Sequence, residues 1–288
     1  MLEFGEKLTL MPSAMRAADI ASLRAAGFSD SEMVAITAAA AYRNFITRVA
    51  DGLGVELGKN GANYYASSVL QAFGVNQSAI QGSLYADRQR ATFAATDTPR
   101  LDRPGAAHSD DTRACWIDYS PSGDPPNLHQ MTNLALALGS RPIALQATID
   151  FASLIEAGDA SLGERIASII GLVVAGTLGL SYLGAHHAQR LLDTGSSSSE
   201  LRAIVDHPGG ETLAGREREA ARFCEKLTRA PGTMVRADVE ALREAAFSDR
   251  EIVTIVGAAA FANYAGRIAA GLGVAPERKL SAQALAVI

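Results

Sequence analysis

The sequence predicts an all-α protein, and three observations carry that expectation. Hydrophobic residues fill 48% of the 288 positions but aromatics only 6%, and a chain this rich in Ala, Leu, Ile and Val packs helices more readily than strands. A helix-start signature followed by a stripe of small residues and a Gly-Leu-Gly stop occurs twice. Residues 166–185 carry no charge over twenty positions, the length of a buried helix or a membrane span.

The elements follow from a repeat. Residues 4–55 laid over residues 223–274 at a constant offset of 219 give 28 identities in 52 positions without a gap, so the chain contains a duplicated unit. Each copy reads as three helices. The first runs through "EKLT" and is cut by Pro12 or Pro231, since proline cannot continue a helix. The second is "MRAADIASLRAAG" or "MVRADVEALREAA". The third starts at Ser29 or Ser248, an N-cap with Glu32 or Glu251 three residues on, the capping-box spacing. It continues through "AITAAAAYRNF" or "TIVGAAAFANY" and stops at "GLG". Alanines in series let helix backbones approach closely, which marks this helix as the central one.

Between the copies, residues 63–93 are expected to be helical, and residues 94–127, rich in Pro, Gly and Asp, to form a long connection. A boundary near residue 100 is expected to separate an N-terminal part (1–100, the first copy and its connector) from the main domain (101–288). Further on, residues 128–155 read as two helices broken near Gly139 to Pro142, and residues 162–195 as a helical hairpin.

A net charge of -5 and a pI near 5.6 provide no basic surface for a phosphate backbone, so nucleic acid is not an expected partner. Cys115 and Cys224 match no metal or CxxC spacing, and a reducing compartment is the simplest reading. The start "MLEFGEKLTLMP" lacks the cationic and apolar regions of a secretory signal, so a cytoplasmic protein is expected. The uncharged stretch at 166–185 is filled with Gly, Ser, Thr and Ala and has no aromatic belt; it reads as a buried helix, with no membrane partner.

Several stretches together carry a resemblance: "PNLHQMTNLALALGSRPIALQATIDF", "SYLGAHHAQRLL", "REREAARFCEKLTRAP", "FSDREIVTIV" and "NYAGRIAAGLGV". Over residues 126–275 the chain resembles the peroxidase-related branch of the alkylhydroperoxidase D and carboxymuconolactone decarboxylase superfamily, and residues 4–56 resemble an extra copy of that domain's C-terminal half. The resemblance implies an alkylhydroperoxidase D-like helical domain with an N-terminal duplicated half-domain. It also implies a homo-oligomer, here a dimer, because the extra half fills a surface that a second subunit covers elsewhere.

That family's redox motif is C-x-[YH]-C-x-x-x-H, preceded by a proton-relay Glu. Its first cysteine position falls on Leu180, the aromatic position on Tyr182, the second cysteine on Leu183 and the histidine on His187. The Glu position falls on Ser168, with Glu164 one turn earlier. Peroxide reduction needs a thiolate to attack the O–O bond and a second thiol to resolve the sulfenic acid. Leucine does neither, so thiol peroxidase activity is not expected.

Four residues remain as catalytic candidates: His187, Tyr182, His186 and Glu164. Adjacent on a helix, His186 and His187 point about 100° apart, whereas Tyr182 and His186 share a face at i, i+4. A histidine near neutral pKa can serve as general acid or base, or it can cap a helix C-terminus. Tyr182 can hold an oxygen-bearing substrate or be a core tyrosine with its hydroxyl satisfied, and Glu164 is equally explained by the helix dipole. Asn44 with Arg48, and Asn263 with Arg267, repeat an N-x-x-x-R spacing that reads best as a helix-bridging arginine. Trp116, Asp118 and His129 flank the proline-rich connection, where a lid over a pocket could lie.

The expected function is therefore a cofactor-free, metal-free enzyme of lyase or isomerase type, doing acid and base chemistry on a small, fairly apolar organic molecule. Its rival is a non-catalytic protein whose fold serves binding or assembly. A peroxidase using Cys224 or Cys115 as a single thiol ranks last.

Overall fold

The computed structural model describes residues 1–55, 132–159 and 162–288. The chain divides into two compact units, Met1–Leu53 with Gly105–Ile288, and Gly54–Pro104. The second lies outside the described residues apart from Gly54 and Val55, as do the expected connector helix, the boundary near residue 100 and the connection carrying Cys115, Trp116, Asp118 and His129.

Among the described residues there are twelve α-helices, two 3-10 turns and no strand. The N-terminal copy comprises α1 (Leu2–Leu10), a 3-10 turn at Pro12–Ala14, α2 (Ala17–Ala25) and α3 (Asp30–Leu53). Then come α4 (Thr132–Gly139), α5 (Pro142–Asp159), α6 (Glu164–Leu178), α7 (Ser181–Asp193) and α8 (Ser198–Asp206). The C-terminal copy comprises α9 (Gly215–Arg229), a 3-10 turn at Pro231–Thr233, α10 (Arg236–Glu244) and α11 (Asp249–Leu272), followed by the short α12 (Ala282–Leu285).

The two copies build the same elements with the same devices. Proline closes the first helix of each and opens a 3-10 turn. In both, the backbone N–H before the second helix donates to an aspartate, Arg16 to Asp19 and Val235 to Asp238, each at 2.7 Å, and that aspartate also pairs with Lys7 or Lys226 at 2.7 Å. The capping boxes form as expected, with Ser29 and Ser248 N–H donating to Glu32 and Glu251 at 2.8 Å. Gly54 and Gly273 end the long helices at φ +63°, a left-handed conformation that favours glycine.

The helix α11 is central. Ile255, Val256, Ala259 and Ala262 belong to one core cluster with α6, α7, α8 and α9, whereas Ala260, Tyr264, Ala265, Ile268 and Leu272 belong to a second with α1, α2, α3, α4 and α5. It is long and apolar enough to cross a membrane, but 83% of its most apolar window is buried inside the protein, as befits a core helix. The uncharged stretch at 166–185 is not one helix: Gly179 at φ +66° breaks it into α6 and α7, and Ile169 to Ala175 are buried. Two helices were not foreseen, α8, which Ser197 caps by accepting from Glu200 N–H, and α12.

Candidate functional site

The break between α6 and α7 sets the site. The left-handed Gly179 and the following Leu180 turn the chain so that the first turn of α7 presents Tyr182, and the next turn His186, on one face with ring centroids 4.9 Å apart. That face meets Glu277, in the irregular segment between α11 and α12.

Glu277 accepts three hydrogen bonds. Tyr182 Oη donates to Oε1 at 2.9 Å, Asn133 N–H donates to the same oxygen at 2.9 Å, and His186 Nε2 donates to Oε2 at 2.5 Å. Leu134 N–H in turn donates to Tyr182 Oη at 3.3 Å, and Asn133 Nδ2 to Ala275 O at 2.8 Å. The carboxylate thus stands at the N-terminus of α4, where unpaired backbone amides and the helix dipole favour negative charge. Tyr182, His186 and Glu277 are 4%, 5% and 7% exposed, so each partner needs the others.

The electrostatics follow from burial. Desolvation works to raise the Glu277 pKa, and the hydrogen bonds from His186, Asn133 and Tyr182 outweigh it and hold the carboxyl below its usual range. Burial first and Glu277 second push the Tyr182 phenol far above its ordinary value, so it stays a neutral donor.

The neighbouring face of α7 is different. The ring of His187 packs directly on Gly171 of α6, and its Nδ1 is buried with no hydrogen-bond partner. Burial pushes its pKa down to about 3, Arg190 and His186 adding to the effect, which keeps it neutral. Ser168 is also buried with an unpartnered hydroxyl. Leu180 and Leu183 pack against α11: a Cβ on Gly266 would meet Leu180 Cδ1 at 2.5 Å and Leu183 Cδ2 at 3.3 Å.

Of the four sequence candidates, the structure joins Tyr182 and His186 and places His187 on a separate contact. Glu164 lies exposed in the first turn of α6, with no hydrogen bond to the other three among the described residues. Glu277 was missed; its only sequence signal is a lone carboxylate in "VAPERKL", just past a helix stop. Cys224 is fully buried, and burial raises its thiol pKa. Among the described residues no group of three or more His, Cys, Asp or Glu side chains is arranged to hold a metal ion.

The N-x-x-x-R pairs bridge the two copies. Arg48 donates to Asn44 Oδ1 at 3.0 Å and reaches across to Thr228 O at 3.0 Å, while Arg267 donates to Asn263 Oδ1 at 2.7 Å and reaches Thr9 O at 3.2 Å. Asn44 and Asn263 donate to the hydroxyls of Thr9 and Thr228 at 3.2 and 3.1 Å. Burial pulls the Arg48 pKa down to about 10 and that of Arg267 well below the guanidinium range, Arg48 adding to the latter.

No family model matches the chain, and no curated protein matches it. Among solved structures it is similar to an uncharacterized peroxidase-related protein from Silicibacter sp. TM1040, at 23% identity and a TM-score of 0.49 over 53% of this chain and 80% of that one. It is also similar to an uncharacterized peroxidase-related protein from Ralstonia eutropha JMP134 with an alkylhydroperoxidase AhpD core, at 22% identity and a TM-score of 0.48 over 51% of this chain and 77% of that one. A debrominase solved with 2,3,4-tribromopyrrole matches at 15% identity and a TM-score of 0.44 over 59% of this chain and 97% of that one. The chain is an all-α protein whose fold is similar, over about half its length, to the peroxidase-related alkylhydroperoxidase core.

Proposed function

We propose that the chain is an enzyme that needs no thiol and no cofactor and does acid and base chemistry on a small, fairly apolar organic molecule, with His186 carrying the proton. The observation that supports this reading is the 2.5 Å hydrogen bond from His186 Nε2 to Glu277. A carboxylate on one ring nitrogen fixes the tautomer and orientation of an imidazole, leaving the other nitrogen to exchange a proton with substrate. Tyr182 holds Glu277 in place rather than acting on substrate, because its hydroxyl already donates to the carboxylate and accepts from Leu134 N–H. Leucines at the two thiol positions and the raised pKa of Cys224 argue against a peroxidase.

The test is proton exchange in D2O, followed by NMR, on a panel of small unsaturated lactones and carboxylic acids. Wild-type protein is expected to catalyse exchange or decarboxylation of at least one, and His186→Gln to lose about 10²–10⁴-fold of that rate. Loss in His187→Gln with His186→Gln unaffected would move the chemistry to the Gly171 face.

A second reading, binding or assembly without catalysis, is favoured by the depth of the Tyr182, His186 and Glu277 cluster. It predicts that no panel member reacts, and that Glu277→Gln lowers the melting temperature and does nothing else.

A further inference from the structure

The two buried arginines close a ring of hydrogen bonds. Arg48 donates to Asn44 Oδ1 and Thr228 O, the Thr228 hydroxyl accepts from Asn263, Arg267 donates to Asn263 Oδ1 and Thr9 O, and the Thr9 hydroxyl accepts from Asn44. Both Nη atoms of each guanidinium are engaged, Nη1 by the asparagine and Nη2 by the carbonyl. The Nε–H of Arg48 and the Nε–H of Arg267 are both buried and have no partner. Every acceptor in the ring is neutral. Asp51 is the carboxylate whose field reaches Arg48, without a hydrogen bond between them, and its counterpart at the offset of 219 is Ala270. The charge that acts on Arg267 is that of Arg48, which has the same sign. Buried charges persist when they are paired, and a buried N–H left unbonded is costly, so this ring lacks an anion.

We propose that the ring binds one small monovalent anion of halide size between the guanidinium groups of Arg48 and Arg267, held by their two Nε–H donors. The charge fits: two guanidinium groups against the single carboxylate of Asp51 leave one positive charge to neutralise. The donor set selects the size. A halide accepts from any direction and is satisfied by two N–H groups, whereas sulfate or phosphate brings several oxygens that need donors of their own. A carboxylate takes Nε and Nη of one guanidinium together, and here the Nη atoms already serve Asn44, Asn263 and the two carbonyls. None of these residues belongs to the Tyr182, His186 and Glu277 cluster, so the site stands apart from the proposed acid and base chemistry.

Thermal melts of the full chain test this, in a gluconate buffer where chloride replaces gluconate at constant ionic strength. The wild-type melting temperature is expected to rise on the order of 5 °C by about 100 mM chloride, along a curve that saturates as a single site does. Bromide is expected to act alike, and sulfate to give no saturating rise. Arg48→Met removes one donor and one charge and is expected to lose the saturating rise, whereas Asp51→Asn, which removes the opposing carboxylate, is expected to saturate at about tenfold lower chloride. If Arg48→Met does not fold, wild-type crystals grown in bromide carry the test, with an anomalous peak expected between the two guanidinium groups. A wild-type melting temperature indifferent to chloride, a saturating rise that survives Arg48→Met, or bromide found only at the surface overturns the proposal.

Discussion

The third helices of the two copies share length, caps and the Asn and Arg pair, yet they live in different surroundings. In α11, Ala262, Ala265 and Gly266 are buried, the last beneath Leu180 and Leu183. Their counterparts in α3 are Arg43, Ile46 and Thr47, all exposed, next to Tyr42 at 48% exposure. The two helices thus differ where one of them receives the α6 and α7 hairpin. Glycine and alanine persist where backbones must come close, and a charge or a hydroxyl appears where none do. The candidate site is built on α7, which packs against the helix that carries the small residues.

Substitution at matched positions sharpens this contrast. The largest effect is expected at the arginines: Arg267→Ala leaves Asn263 Oδ1 and a cavity in the core and costs about 3 kcal/mol, whereas Arg48→Ala, at 5% rather than 1% exposure, costs about 2 kcal/mol. Denaturant unfolding measures both, and equal losses would erase the distinction between the copies. Next, Gly266→Thr forces a side chain against Leu180 and is expected to cost about 1–3 kcal/mol, while the reverse change on the exposed helix, Thr47→Gly, costs no more than about 1 kcal/mol.

The site adds a pH dependence that the N-terminal copy lacks. The Glu277 pKa is depressed in the folded state, so its contribution is present above the unfolded carboxylate pKa and is lost as pH falls through the folded value. Glu277→Gln is expected to flatten the acid limb of the stability profile. His187, held neutral with a pKa near 3 against 6.5 for the free side chain, binds its proton more readily when unfolded, so stability falls as pH drops from about 6.5 toward 3. Thermal melts of His187→Gln across that interval are expected to show a shallower slope than wild type. The smallest effect is at the surface. Lys7→Ala and Lys226→Ala each break a half-exposed pair with aspartate and are expected to cost about 0.5 kcal/mol, equally in both copies.

Most of the helical frame was legible because its signals are local. Pro12 and Pro231 cut, Ser29 and Ser248 cap, and Gly54 and Gly273 stop, each through its own backbone or a neighbour three residues away. The pairing of Tyr182 with His186 was legible for the same reason, being one turn of helix. Their carboxylate was not: Glu277 lies 91 residues beyond His186, in a segment without periodicity, and only the packing of α12 and its approach onto α7 brings it there. The reach of Arg48 and Arg267 was half legible. Spacing put each beside its own asparagine, but that each crosses to the opposite copy is a property of the docked pair.

The acceptors of those crossing bonds are main-chain carbonyls. Every amino acid carries one, so genetic drift at positions 9 and 228 leaves the arginine bonds intact, and only the asparagine bonds depend on a threonine hydroxyl. A brace anchored on backbone tolerates mutation on its receiving side, so the two segments stay fastened although nearly half their aligned positions differ.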